Sequence, residues 1–176
     1  MAHSDTSLLA SELENIRKLT GDLLHTKFLD ICSSKRPGDE FIAKLSNSER
    51  DIVYKCCLLL STVTNGTKIP REFQLKAVLT LLAGQDCLID AGTGSGKTLC
   101  MVLPALLDPT TVSLVVSPLK RLQVLQVSCI NDIMARGCSL LTRSYEGCGI
   151  SVLWTYSGMH QRRHSKFARI LEGTIV

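Results

Sequence analysis

Eight consecutive residues, Ala91-Gly92-Thr93-Gly94-Ser95-Gly96-Lys97-Thr98, carry the densest chemistry in the chain. They fit the P-loop pattern, with alanine in place of the usual first glycine. The glycines let the backbone curl until successive N–H groups point into one concavity, and a helix starting at the end of the loop adds its positive N-terminal end. Such a concavity takes a chain of phosphates. Lys97 is then placed to reach the β- and γ-phosphates, and Thr98 to put its hydroxyl on Mg²⁺. ATP and Mg²⁺ are the expected ligands. A chance glycine-rich turn is the alternative, and the position between a strand-like run and a helical pattern argues against it.

The flanking segments read as alternating helix and strand. Glu72 to Leu82 has helical spacing and is closed by Gly84, and Cys87-Leu88-Ile89-Asp90 predicts a short strand feeding the loop. Lys97 to Leu107 predicts a helix, Val112 to Val116 a buried strand, Leu119 to Arg136 a helix ended by Gly137, and Ile150 to Trp154 another strand. This order predicts an α/β fold with a parallel sheet and helical crossovers. Before Pro70 the texture differs. Leu9, Leu13 and Ile16 recur at helical spacing until Gly21 interrupts them, and residues 33–40 have the composition of a linker. Ser46, Asn47 and Ser48 offer N-caps to a helix with the apolar face Ile52, Val53, Cys56, Cys57, Leu60 and Val63, which Asn65-Gly66 stops. The expected organisation is an N-terminal helical region, 1–66, followed by a partial ATP-binding domain, 67–176.

Bulk properties restrict the class. A chain of 176 residues with 45% hydrophobic content can build a core, and a net charge of +4 permits contact with nucleic acid without demanding it. The eight cysteines include no C-x-x-C pair and several sit in apolar runs, so buried thiols are expected rather than zinc or a disulfide scaffold. The acidic start and the lack of a long apolar stretch predict neither signal peptide nor membrane span, hence an intracellular protein with reduced thiols, nuclear if the source is eukaryotic.

The run after the P-loop, Leu99-Cys100-Met101-Val102-Leu103-Pro104-Ala105-Leu106, resembles that of the RecQ-type DNA helicases of superfamily 2. Val115-Val116-Ser117-Pro118-Leu119, continuing through Leu122 to Gln126-Val127, is similar to the family's motif Ia, and Arg71-Glu72-Phe73-Gln74 to the Arg-x-x-Gln element ahead of the P-loop. The resemblance implies a RecA-like P-loop NTPase sheet, ATP selection by Arg71 and Gln74, and 3′–5′ DNA unwinding by the complete motor. A glutamine amide, with donor and acceptor on one plane, suits the Hoogsteen edge of adenine. Ser117-Pro118 also reads as a helix start whose open N–H groups suit a nucleic-acid phosphate, with Lys120 and Arg121 in its first turn. The P-loop itself is closer to that of the DEAD-box RNA helicases, so DNA is favoured over RNA without excluding it.

Other candidates read more plainly. Arg162, Arg163, His164, Lys166 and Arg169 form a basic cluster that reads as a solvated face, and Trp154 and Tyr156 read as core rather than base-stacking groups. No Asp-Glu-x-His or Asp-Glu-Ala-Asp run occurs among the 176 residues, so the resemblance leads to the expectation that this chain is without the family's acidic groups for Mg²⁺ and the attacking water and without its second lobe. The resemblance further places the P-loop strand and the motif Ia strand apart in the sheet, which predicts open edges at 87–90 and 112–116. Rival readings are another P-loop enzyme, such as a small-molecule kinase, and a non-catalytic nucleotide-binding remnant. The 176-residue chain is expected to show no DNA-stimulated ATP hydrolysis above background, which phosphate release measured with and without single-stranded DNA will check.

Overall fold

The computed structural model describes residues 8–32, 35–109 and 128, together with the backbone of 2–7, 113–116, 143–144 and 150–153. Among the described residues six helices come first: α1 (Ala2–Lys18), α2 (Gly21–Ile31), α3 (Asp39–Ala43), α4 (Asn47–Val63), α5 (Glu72–Leu82) and α6 (Thr98–Leu107). Three short strands follow, β1 (Ser113–Val116), β2 (Arg143–Ser144) and β3 (Ile150–Leu153).

Helix α4 is the axis of the packing. Ser46 caps it: the Ser46 Oγ accepts from the Glu49 N–H at 3.4 Å while the Glu49 carboxylate accepts from the Ser46 N–H at 2.8 Å. This reciprocal capping box satisfies two end donors that the helix itself cannot. The Ser46 bonds also hold the exposed Glu49 carboxyl below its ordinary range. At the other end Asn65 (φ 50°) and Gly66 (φ 73°) take the left-handed conformation, which lets the Gly66 N–H return to the Ser61 carbonyl at 2.8 Å. Between these stops Val53, Cys56, Cys57, Leu58, Leu59, Leu60 and Val63 are all buried. With apolar groups on nearly every side, α4 needs partners all round, and it packs against α1, α2, α5 and α6.

The core is continuous from the N-terminal helices to the helix after the P-loop. Leu13 and Ile16 of α1, Leu24 and Phe28 of α2, Leu75 and Val78 of α5, and Val102, Leu103 and Leu106 of α6 join the α4 residues in one cluster. Phe28 and Tyr54 stack with ring centroids 4.3 Å apart. Arg17 reaches from α1 to the far end of α6, where its Nε donates to the Leu106 carbonyl at 2.8 Å. That bond satisfies one of the carbonyls a helix end leaves open. Burial raises the thiols of Cys32, to about 11, and Cys56, to about 12, so neither forms a thiolate near neutral pH.

Two expectations require correction. Residues 87–90 are not a strand: they pair with no strand among the described residues, and Leu88 is 97% exposed. An apolar run becomes a strand only when a ladder takes up its backbone groups, and here none does. The described strands do not form the expected parallel sheet either. They lie in the order β1-β3-β2, with β3 antiparallel to both neighbours, Ser113 opposite Leu153 and Ser144 opposite Ser151. Of the segment expected to have open edges, Ser113–Val116 pairs with β3 on one side and stands at the edge of the described sheet on the other. Short strands with no crossover partner beside them gain as much from antiparallel bonding, which is slightly the stronger pairing per residue. The expected helix at Leu119–Arg136 lies outside the described residues except at its single residue 128. Because Leu103 of α6 is fully buried against α4, Leu103→Ala should lower the unfolding free energy by about 2–5 kcal/mol in urea titration.

Candidate functional site

The site is built where the start of α5 meets the P-loop. Gln74 lies one turn into α5 and is 1% exposed, an unusual burial for a primary amide. Its Oε1 accepts from the Arg71 N–H at 2.8 Å, and its Nε2 donates to the Gly96 carbonyl at 2.9 Å and the Ser95 carbonyl at 3.4 Å. Both ends of the amide are thereby engaged by backbone groups. To face a base, Gln74 must release at least one of them.

The loop is curled by Gly94 (φ 79°) and Gly96 (φ 87°), with the Ser95 N–H returning to the Gly92 carbonyl at 3.2 Å. Helix α6 begins at once, and the backbone N–H groups of Gly96, Lys97 and Thr98 donate to no backbone carbonyl among the described residues. Three successive open donors at a helix start form an anion cradle. The Ser95 Oγ is buried without a hydrogen-bond partner among the described residues, a second polar group that the protein leaves unsatisfied at this spot. Lys97 folds back over the loop, its Nζ donating to the carbonyls of Ala91 at 2.5 Å and Gly92 at 3.0 Å. A phosphate in the curl would replace these neutral acceptors with charged ones. Thr98 is half-buried beside the cradle.

Beside the loop a cleft of about 610 Å³ opens between three walls. They are the segment Lys35–Gly38, the approach to α5 from Thr67 to Glu72, and Gly94–Gly96 with Leu99. The size suits a small ligand. Lys35, Arg36, Lys68 and Arg71 line it against one acid, Glu72, so its field favours an anion.

A family model for DEAD/DEAH box helicases matches residues 71–175. The chain belongs to this family. The match begins at Arg71, where the Arg-x-x-Gln element begins, and extends beyond the motif Ia segment. A DNA helicase Q-like protein of Arabidopsis thaliana, described as ATP-dependent, is 40% identical over 78 residues, which are 44% of this chain and 9% of that protein. The RecQ-like DNA helicase BLM of Xenopus laevis is 43% identical over 63 residues, 36% of this chain and 4% of that protein. A probable ATP-dependent RNA helicase, DDX52 of Rattus norvegicus, is 28% identical over 128 residues, 69% of this chain and 21% of that protein. The chain thus spans less than a quarter of the length of these relatives, and they include helicases described as acting on DNA and on RNA. No solved structure matches the chain significantly.

For this DEAD/DEAH box helicase chain, the structure brings Arg71, Gln74 and Ala91 to Thr98 together at one place. Ser117, Pro118, Lys120 and Arg121 lie outside the described residues, as do Trp154, Tyr156 and the basic cluster from Arg162 to Arg169. Among the described residues no group of acidic, histidine or cysteine side chains could hold a metal ion by itself. Sequence reasoning gave no site role to Glu72, which read as the first residue of a helix, or to the segment Lys35–Gly38, which read as a linker. The basic and glycine content of Lys35–Gly38 was visible, but nothing local connected that segment to a loop about sixty residues further along the chain. Gly96→Ala should be the costlier of two loop substitutions: a Cβ there meets Gln74 Nε2 at 2.8 Å, whereas at Gly94 it meets nothing within 4 Å. Both variants carry a left-handed penalty of about 1–2 kcal/mol, so denaturant unfolding should rank Gly96→Ala below Gly94→Ala and both below wild type.

Proposed function

We propose that this chain is the nucleotide-binding part of an ATP-dependent helicase of RecQ type, taking ATP·Mg²⁺ at the P-loop. The observation that carries this reading is the cradle: three successive open N–H groups at the start of α6, with Lys97 within the same curl. The N–H groups of Gly96, Lys97 and Thr98 hold phosphate oxygens, and Lys97 turns from the Ala91 and Gly92 carbonyls to the β- and γ-phosphates. Ser95 Oγ gains a partner. Mg²⁺ suits a site with one protein hydroxyl, since it keeps several waters and takes its remaining ligands from phosphates, and Thr98 supplies that hydroxyl. Arg71 and Gln74 flank the nucleoside end.

Nucleic acid is the partner of the motor, DNA in preference to RNA, because the higher identities fall on relatives described as DNA helicases. Ser117, Pro118, Lys120 and Arg121 are the proposed contacts with a strand. The absence of an acidic Asp-Glu run supports binding without turnover by the chain as it stands. Calorimetry tests the reading directly: Lys97→Ala removes a charge-assisted contact of about 1.5–3 kcal/mol and should weaken ATP·Mg²⁺ roughly 10- to 150-fold. Equal affinities for the variant and wild type would refute the assignment.

A further inference from the structure

The wall of the cleft opposite α5 comes from a part of the chain that the family match does not include. It is the turn between α2 and α3. Cys32 at the end of α2 is buried in the core, and Phe41 of α3 is buried against the same cluster, so Lys35–Gly38 lies between two anchored residues. At the last residue before α3 the Gly38 N–H donates to the Glu72 carboxylate at 3.3 Å. A Cβ at Gly38 would sit 3.0 Å from that same oxygen, so the chain passes too close for a larger residue to fit without displacement. Glu72 stands two residues from Gln74, on the first turn of the helix whose buried amide holds the P-loop. The N-terminal turn, the start of α5 and the loop therefore form one bonded unit around the cleft.

The charges on this turn have no structural task that fixes them. Arg36 makes a 3.0 Å ion pair with Asp39 at the surface, a contact worth little in water, and Lys35 is exposed. Both line the cleft with Lys68 and Arg71, across from Gly94–Gly96 of the loop. We propose that the turn Lys35–Gly38 is the outer wall of the nucleotide site, that Lys35 and Arg36 bind the nucleoside triphosphate from outside the family's own motifs, and that Glu72 is the positioning residue that holds the wall in place. The inference rests on the P-loop being a nucleotide site.

The test is calorimetric titration of the 176-residue chain with ATP·Mg²⁺. Lys35→Ala/Arg36→Ala changes exposed side chains, so far-UV circular dichroism and the thermal midpoint should stay as in wild type, while the dissociation constant should rise about 5- to 10-fold as a charged contact is lost. Glu72→Gln and Glu72→Ala remove the same negative charge from the cleft, but only the glutamine keeps an acceptor for the Gly38 N–H. The alanine variant should bind more weakly than the glutamine variant by about 3-fold or more, a difference that charge alone cannot produce. Wild-type affinity for the double variant, or equal affinities for the two Glu72 variants, would overturn the proposal. If either result came with a large loss for Lys97→Ala, the nucleotide site would stand and only the N-terminal wall would fall. If Lys97→Ala also bound normally, the nucleotide reading itself would fail.

Discussion

A single buried amide sets the geometry of the site. A P-loop is a run of small residues with little to hold its shape, and its open N–H groups repel one another until an anion arrives. In this chain the Gln74 side chain supplies the missing restraint, taking the Gly96 and Ser95 carbonyls on one side and the Arg71 N–H on the other. The carbonyls are drawn toward α5, which leaves the N–H groups of the same peptides facing the opposite way, into the cradle. Gly96 follows from the same contact: its positive φ and the 2.8 Å approach of the Gln74 amide to the place of a Cβ leave room for glycine alone. Glutamine at 74 and glycine at 96 are two halves of one constraint.

That constraint is useful only if α5 and α6 are fixed relative to each other, and the helical core fixes them. Helix α4 stands between the N-terminal helices and the pair that carries the site, and buried leucines on several of its faces weld both groups into one cluster. Arg17 adds a bond from α1 to the last turn of α6. Any displacement of α6 would have to open this apolar contact, at a cost of a few kcal/mol for each large side chain uncovered. The N-terminal helices are therefore part of what holds the P-loop helix in place, although the helicase family match begins only at Arg71.

Sequence reasoning reached those parts whose signals are local. The helices Glu72–Leu82 and Lys97–Leu107 and the stop at Asn65-Gly66 each depend on residues within a turn or two, and the structure has them within a residue of what the patterns indicate. Helix α2 was missed although Leu24, Phe28 and Cys32 repeat at intervals of four, because the polar residues around them suggested no element. The segment 87–90 failed for the converse reason: Cys87-Leu88-Ile89 has strand composition, but a strand needs a neighbour that no window of sequence displays. The direction of pairing in the described sheet and the approach of Lys35–Gly38 to the P-loop are likewise long-range facts. Gln74 lies between these cases. Its sequence neighbourhood suggested a base-reading amide, while its burial and its bonds to the loop carbonyls appear only when helix and loop are seen together.

Phosphate binding at the loop depends on the open N–H groups of Gly96, Lys97 and Thr98. Residue-resolved amide hydrogen exchange of the 176-residue chain, with and without saturating ATP·Mg²⁺, measures those groups one by one. The expected result is a marked slowing at Gly96, Lys97 and Thr98 on adding nucleotide, with α2 and the middle of α4 unchanged. Unaltered exchange at these three residues, under conditions where nucleotide is bound, would contradict the assignment of the cradle.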